Sequence, residues 1–228
     1  MKKYLFTIII VFISTKAFTH SSHYKGIKKI EMDVLRNGEV IGHSNYYFEN
    51  ENNIMTVKNY TKFKVELFGV SVFSISAEAI EKYKGDKLIS FKSNTFQNDK
   101  EKYVKLQFDE VSNNFVIEGS SFKGKASADA LIGSWWNHEI LKVDKQISPI
   151  SGSVKKQIVK FIGTEKIKIN KKDYILDRYK LVSKNNDLPE DKRLDFDIWL
   201  NSKNNLIYKI LYNRVGIWEY RIKNFEID

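Results

Sequence analysis

Short runs rich in Val, Ile, Phe and Tyr recur between clusters of Asn, Gly, Asp and Lys, and no long apolar pattern of period 3.6 appears anywhere. The clusters fall at Asn37-Gly38 and at residues 49–53, 84–87, 97–101, 112–114, 169–173 and 201–205. β-Branched and aromatic residues suit a pleated, half-buried surface, whereas Asn and Gly accept the positive φ that tight hairpins require. The pattern predicts an antiparallel meander. The fold class expected is mainly all-β: a curved antiparallel sheet or incomplete β-barrel of about 10–12 strands, with one or two short helices.

The opening "MKKYLFTIIIVFISTKAFTH" has a basic start (Lys2, Lys3), an apolar run from Tyr4 to about Ile13 and small or polar residues around Ala17. It reads as a secretory signal peptide, because the run is shorter than the roughly 20 apolar residues that span a bilayer. Cleavage after Ala17 puts Thr15 and Ala17 at the small positions; cleavage after Thr19 is the second choice. The expected organisation is a signal peptide over 1–17, a single β-rich domain over 18–228, and a periplasmic address. Two prolines and no Pro/Ser/Gly-rich linker favour one domain over two. With no Cys, a lipid-anchored start and disulfides are both excluded.

The formal charge of +10 includes three Lys in the segment to be cleaved. The remainder, about +7, suits an anionic membrane surface, a cell-wall polymer or an acidic partner. It is spread along the chain, as solvated Lys on exposed strand faces would be. Nucleic acid is not expected, since no helix-turn-helix, zinc-finger or aromatic RNA-binding signature is present.

Alternation is clearest near the C-terminus. In "LDFDIWL", Leu194, Phe196, Ile198 and Leu200 share one face, opposite Asp195, Asp197 and Trp199. In the last strand Trp218, Tyr220 and Ile222 share a face. From Leu67 to Ile75, within 63–79, both faces are apolar or small. A strand covered on both sides reads this way, which predicts a second layer, a helix or an apolar ligand over it and a bend at Gly69.

The order of segments resembles a family of exported bacterial proteins grouped only as a domain of unknown function. The matching pieces are the strand-turn-strand "MDVLRNGEVIGHSNYYF", a long strand over 55–79 leading into "AIEKYKGDKLISFKSNT", a central Ser-x-Trp-Asn element in "SWWNHEIL" with Gly152 downstream, and a closing Asp-x-Trp strand in "DFDIWLNSKNNLIYKILY". The resemblance implies a fold similar to the curved, incomplete barrels of periplasmic lipoprotein carriers, with apolar side chains wrapped under a small helical lid. It supplies a class and no activity.

The stretch "GSWWNHEILK", 133–142, gathers two tryptophans, an amide, a histidine and a carboxylate. Ser134 is a good N-cap, so the expectation is a one- or two-turn helix plugging the sheet, with Trp135, Trp136, Ile140 and Leu141 as apolar filling. Neighbours on a helix do not share a face, so His138 and Glu139 are not expected to converge.

His20, His23, His43 and His138 are the whole histidine supply, and no metal-binding or cofactor motif is present. A copper site is conceivable only at a processed N-terminus, through His20 in third or first place. Asp195 and Asp197 lie roughly 6 to 7 Å apart along one strand face, a spacing compatible with paired-carboxylate hydrolysis. The plainer reading pairs them with a neighbouring cation, Lys209 being the candidate. Glu81 reads as an exposed hairpin residue. Gly-x-Ser-x-Gly is absent, and the Ser-rich 118–124 lacks the helix that a phosphate loop would open.

The first functional expectation is a non-catalytic envelope module whose curved sheet holds a lipid or other apolar ligand, with Trp135, Trp136, Phe68, Phe73, Trp199 and Trp218 as pocket candidates. The second is an assembly module that binds an envelope protein, with peripheral membrane contact through its basic surface. A hydrolase using Asp195 and Asp197 is third. An outer-membrane barrel is disfavoured by Lys on both faces of several strands and by the non-aromatic terminal Asp228.

Overall fold

The computed structural model describes Tyr24, residues 26–185 and residues 187–228. The expected signal peptide, both expected cleavage positions and the His20 copper reading lie outside these residues. The first eight strands are β1 (Ile27–Arg36), β2 (Glu39–Glu51), β3 (Ile54–Leu67), β4 (Val70–Lys84), β5 (Lys87–Gln97), β6 (Lys100–Asp109), β7 (Asn114–Gly119) and β8 (Lys123–Ser127). The remainder are β9 (Leu131–Ile132), β10 (Lys145–Ile147), β11 (Val154–Ile169), β12 (Lys172–Ser183), β13 (Asp195–Asn201), β14 (Leu206–Asn213) and β15 (Ile217–Ile227). Two 3₁₀ turns, His138–Leu141 and Glu190–Lys192, lie wholly within the described residues, which contain no α-helix.

All fifteen strands form one sheet, ordered β8-β7-β6-β5-β4-β3-β2-β1-β15-β14-β13-β12-β11-β10-β9. The chain thus folds as two meanders that meet where β1 pairs with β15. Neighbours are antiparallel throughout, apart from the parallel pair β9 and β10. The two free edges, β8 and β9, are separated by residues 128–130 alone, a span of at most about 15 Å. The sheet must therefore curl until its edges lie side by side, and bulges such as those in the β1–β2 and β4–β5 ladders supply curvature. This is the incomplete barrel expected, with more strands than the 10–12 anticipated.

Part of the excess comes from the apolar stretch 63–79. It is not one bent strand but a hairpin that turns at Phe68-Gly69, both at positive φ. The β3–β4 ladder runs on to Leu67 and Val70, while β2 pairs with β3 only as far as Phe63 and β5 meets β4 only from Ile75. The hairpin end therefore stands clear of its neighbours. Its inner side, with Phe63, Val65, Phe73 and Ile75, packs with Val34 and Trp218 in a small separate cluster. Past that cluster the tip is bare: Leu67, Phe68, Val70 and Val72 are exposed.

The main core lines the inside of the barrel, and residues 130–147 fill it. Ala130, Leu131, Ile132, Trp136, Ile140 and Ile147 are all buried there. The β10–β11 turn presses on the first meander: a Cβ on Gly119 would stand 2.6 Å from the Ser151 carbonyl oxygen, so only glycine permits this approach. Ser93 Oγ also donates to the Pro149 carbonyl at 2.5 Å. These contacts hold the two meanders together where the ladder does not.

Candidate functional site

Residues 133–142 are the filling of the barrel. The helix expected from Ser134 is instead the 3₁₀ turn His138–Leu141, capped by Asn137, whose Oδ1 accepts the Glu139 N–H at 3.0 Å. Trp136 stands edge-on to Tyr24, Phe48 and Tyr83, with centroids 4.9, 5.4 and 5.6 Å away. Trp135 faces the other meander, 5.0 Å from Phe196 and 6.4 Å from Tyr220. Adjacent tryptophans thus each bind one half of the sheet. Edge-to-face aromatic geometry of this kind adds to area burial.

The Trp136 indole and the Tyr83 phenol drawn inside are both matched. Trp136 Nε1 donates to Glu81 at 2.9 Å, and the Tyr83 hydroxyl donates to the other Glu81 oxygen at 2.6 Å. Glu81 is only 2 % exposed, which corrects its reading as a surface residue. It shares the inward side of β4 with Ile75 and Tyr83, so strict alternation along that strand already pointed inside. Burial pushes its carboxyl above the usual value, against the hydrogen bonds from Tyr83 and Trp136.

A second buried carboxylate behaves oppositely. His138 Nε2 lies 3.1 Å from Glu139 and Lys142 Nζ 2.8 Å from it. Burial would raise Glu139, but these two cationic or proton-donating partners hold it down at about 2. The neighbours His138 and Glu139 therefore do meet, imidazole to carboxylate, at the start of the 3₁₀ turn, contrary to the expectation for them. The Tyr24 hydroxyl completes the group, 2.6 Å from His138 Nδ1 and accepting the His138 N–H at 2.9 Å. Gln157 spans to the same turn, donating to the carbonyls of Ile140 and Val143 and accepting from Gln146.

The six pocket candidates do not converge on one cavity. Trp135 and Trp136 are in the filled lumen; Phe73 and Trp218 pack together, 6.0 Å apart, at the β3–β4 end. Phe68 is fully exposed at the hairpin tip. Trp199 lies on the opposite face of β13 from Ile198 and Leu200, covered by Arg178 and Lys209 at 5.2 and 5.1 Å and donating to Glu165. The alternation read in "LDFDIWL" holds, but the tryptophan is buried beneath cations.

Asp195 and Asp197 share that face, and Lys180 binds both, at 2.5 and 2.9 Å. Arg178 adds a contact of 2.7 Å to Asp197, whereas the expected partner Lys209 lies by Glu219. Burial would raise the Asp197 carboxyl, yet Lys180 and Arg178 outweigh it and hold it below its usual value. Paired-carboxylate hydrolysis needs one acid kept protonated, and this arrangement works against that.

An open hollow of about 610 Å³ lies across β3–β6. A cross-strand row of Tyr60, Glu78, Asn94 and Tyr103 crosses it, beside Ile80, Lys92 and Lys105. The sequence gives these residues no motif; they meet through register alone.

A search of curated proteins returns no match. Among solved structures the fold is similar to a β-barrel-like protein of the domain of unknown function DUF1849 from Brucella abortus, with a TM-score of 0.60 over 89 % of this chain and 98 % of that one, at 9 % identity. At that identity the likeness concerns the fold alone. The sequence profile of a domain of unknown function, DUF6134, matches residues 32–223, and the chain belongs to that family.

Proposed function

We propose that the protein is a non-catalytic binding module of the cell envelope that works from the outside of its barrel. The observation that carries this reading is the filled lumen. Residues 130–147 occupy the space where an apolar guest would sit, with Trp136 1 % exposed at its centre. The basic balance of the chain and the Tyr, Lys, Asn and Glu groups of the outer hollow leave binding chemistry on the surface. An exported, envelope address follows from the signal-peptide reading of residues 1–17.

Native mass spectrometry of the protein recovered from expressing cells, paired with titration of a fluorescent fatty acid, tests this. The expected result is a bare polypeptide mass and no saturable uptake. A stoichiometric lipid adduct would overturn it in favour of a lumenal carrier. One observation favours that second reading: the seam between β8 and β9 has no ladder, so withdrawal of 130–147 would open an apolar lumen holding Glu81 as a polar handle.

A further inference from the structure

We propose that two hairpin tips at one end of the barrel, 67–72 and 214–217, dock the protein on an anionic lipid bilayer, with Phe68 and Val215 entering the boundary between headgroups and acyl chains. The inference rests on the outer-surface reading above and names the surface involved.

Backbone conformation gives the first argument. Among the described residues ten non-glycine positions have positive φ: seven are Asn and one is Lys171. The other two are Phe68, at φ 51°, and Val215, at φ 49°. A bulky or β-branched side chain is disfavoured there, and each is followed by a glycine, so that Asn would serve the turn better, as it does at Asn37-Gly38. The fold gains nothing in exchange, because Phe68 is 105 % and Val215 86 % exposed. Backbone strain retained to display an apolar side chain to solvent points to a function outside the fold.

Placement gives the second. The registers put the β1–β2, β3–β4 and β14–β15 turns at the same end of the sheet. Leu67, Val70 and Val72 extend the first tip, Ile217 the second, and Val40 is exposed between them. The tips are braced. Trp218 packs edge-on to Phe63 and Phe73, Arg36 donates to the Val215 carbonyl at 2.7 Å, and Asn37 and Ile217 exchange hydrogen bonds of 2.8 and 2.9 Å. By contrast Val111, exposed in the turn that follows β6 at the other end, has no positive φ and no apolar neighbour in its turn.

Shape and charge select the occupant. A protein partner needs a complementary surface of about 800 Å² per side, whereas a narrow finger standing clear of its sheet enters a deformable phase. Arg36, Lys62, Lys64 and Arg214 flank the tips; with Lys64 paired to Glu66 and Glu39 alongside, the set keeps a net charge of +2, the sign that anionic headgroups attract.

The test is co-sedimentation of the folded protein with vesicles of equal phosphatidylglycerol and phosphatidylethanolamine, and with phosphatidylcholine vesicles. Wild type should partition onto the anionic vesicles, and the double variant Phe68→Asn, Val215→Asn should lose roughly tenfold in partitioning while its circular dichroism and melting temperature are kept. Equal binding by the double variant, or wild type left in the supernatant, overturns the proposal. In the latter case a bare mass in the native spectrum leaves the outer-surface reading standing. A lipid adduct that survives in the double variant removes that reading and not the tips.

Discussion

Trp136 and Phe68 are both large aromatic residues in stretches of small and apolar neighbours, and the fold treats them in opposite ways. Around Trp136 every step inward is reconciled: the ring meets three other rings, and its N–H meets a carboxylate that also accepts from Tyr83. Around Phe68 nothing is reconciled, since the ring meets solvent on a backbone that disfavours it. The difference lies in register. Trp136 is inside a sheet that closes around it, whereas Phe68 sits five residues past the last pairing with β2, at Phe63, and seven before the first with β5, at Ile75. Apolar content alone therefore does not distinguish core from contact surface in this chain; the state of the neighbouring polar groups does.

Truncation should separate the two regions most sharply. Trp136→Ala removes the ring that joins the filling to the first meander and strands Glu81, so urea denaturation should show a loss of about 3–5 kcal/mol or more. Phe68→Ala should change stability by less than about 0.5 kcal/mol. Similar losses at both sites would end the contrast. Next in size is Gln157→Ala, which leaves the Ile140 and Val143 carbonyls and the Gln146 amide without their buried partner. About 1–3 kcal/mol should be lost, and Gln157→Glu should recover only part of it because the donor is gone.

The two buried carboxylates sharpen the comparison within the lumen itself. Glu81 is raised above its ordinary value of 4.5, so its contribution is present below that value and lost as pH rises through the raised one. Glu139 is lowered to about 2, so its contribution is present above 4.5 and lost as pH falls toward 2. Glu81→Gln should thus melt higher than wild type at about pH 7.5 and converge with it near pH 4. Glu139→Gln should melt lower at about pH 7.5 and converge near pH 2. Thermal melts across that range check both signs, and parallel curves for either variant would remove its carboxylate from the account.

Much of the fold was legible because turn chemistry is local. Asn37, Asn52, Asn53, Asn98, Asn113, Asn170 and Asn205 adopt positive φ inside the Asn-rich clusters that marked the hairpins. The turn at Phe68-Gly69 was hidden because its first residue is chosen against turn propensity, and the flanking apolar run then imitated a covered strand. Glu81 was misjudged for a different reason: its type outweighed its place on the inward side of β4. The partners of Trp199 and Asp197, namely Glu165, Arg178 and Lys180, come from β11 and β12 and depend on strand order, which no local pattern encodes. The filling of the lumen by 133–142 was legible, but which meander each tryptophan would face was not.

The smallest expected effect carries the finest distinction. Phe68→Asn alone exchanges a residue disfavoured at φ 51° for the type that occupies most such positions here, and it removes a side chain that buries nothing. Stability should therefore stay level or rise by about 0.5 kcal/mol, by the same logic that stabilises turns when residue and φ are matched. A loss above about 1 kcal/mol in urea denaturation would mean that the ring packs on the folded chain after all. It would place Phe68 with Trp136 among residues the fold needs, and the strain at the tip would have an internal cause. A neutral or positive change leaves the strain unexplained by stability, which is the condition under which an external surface has to account for it.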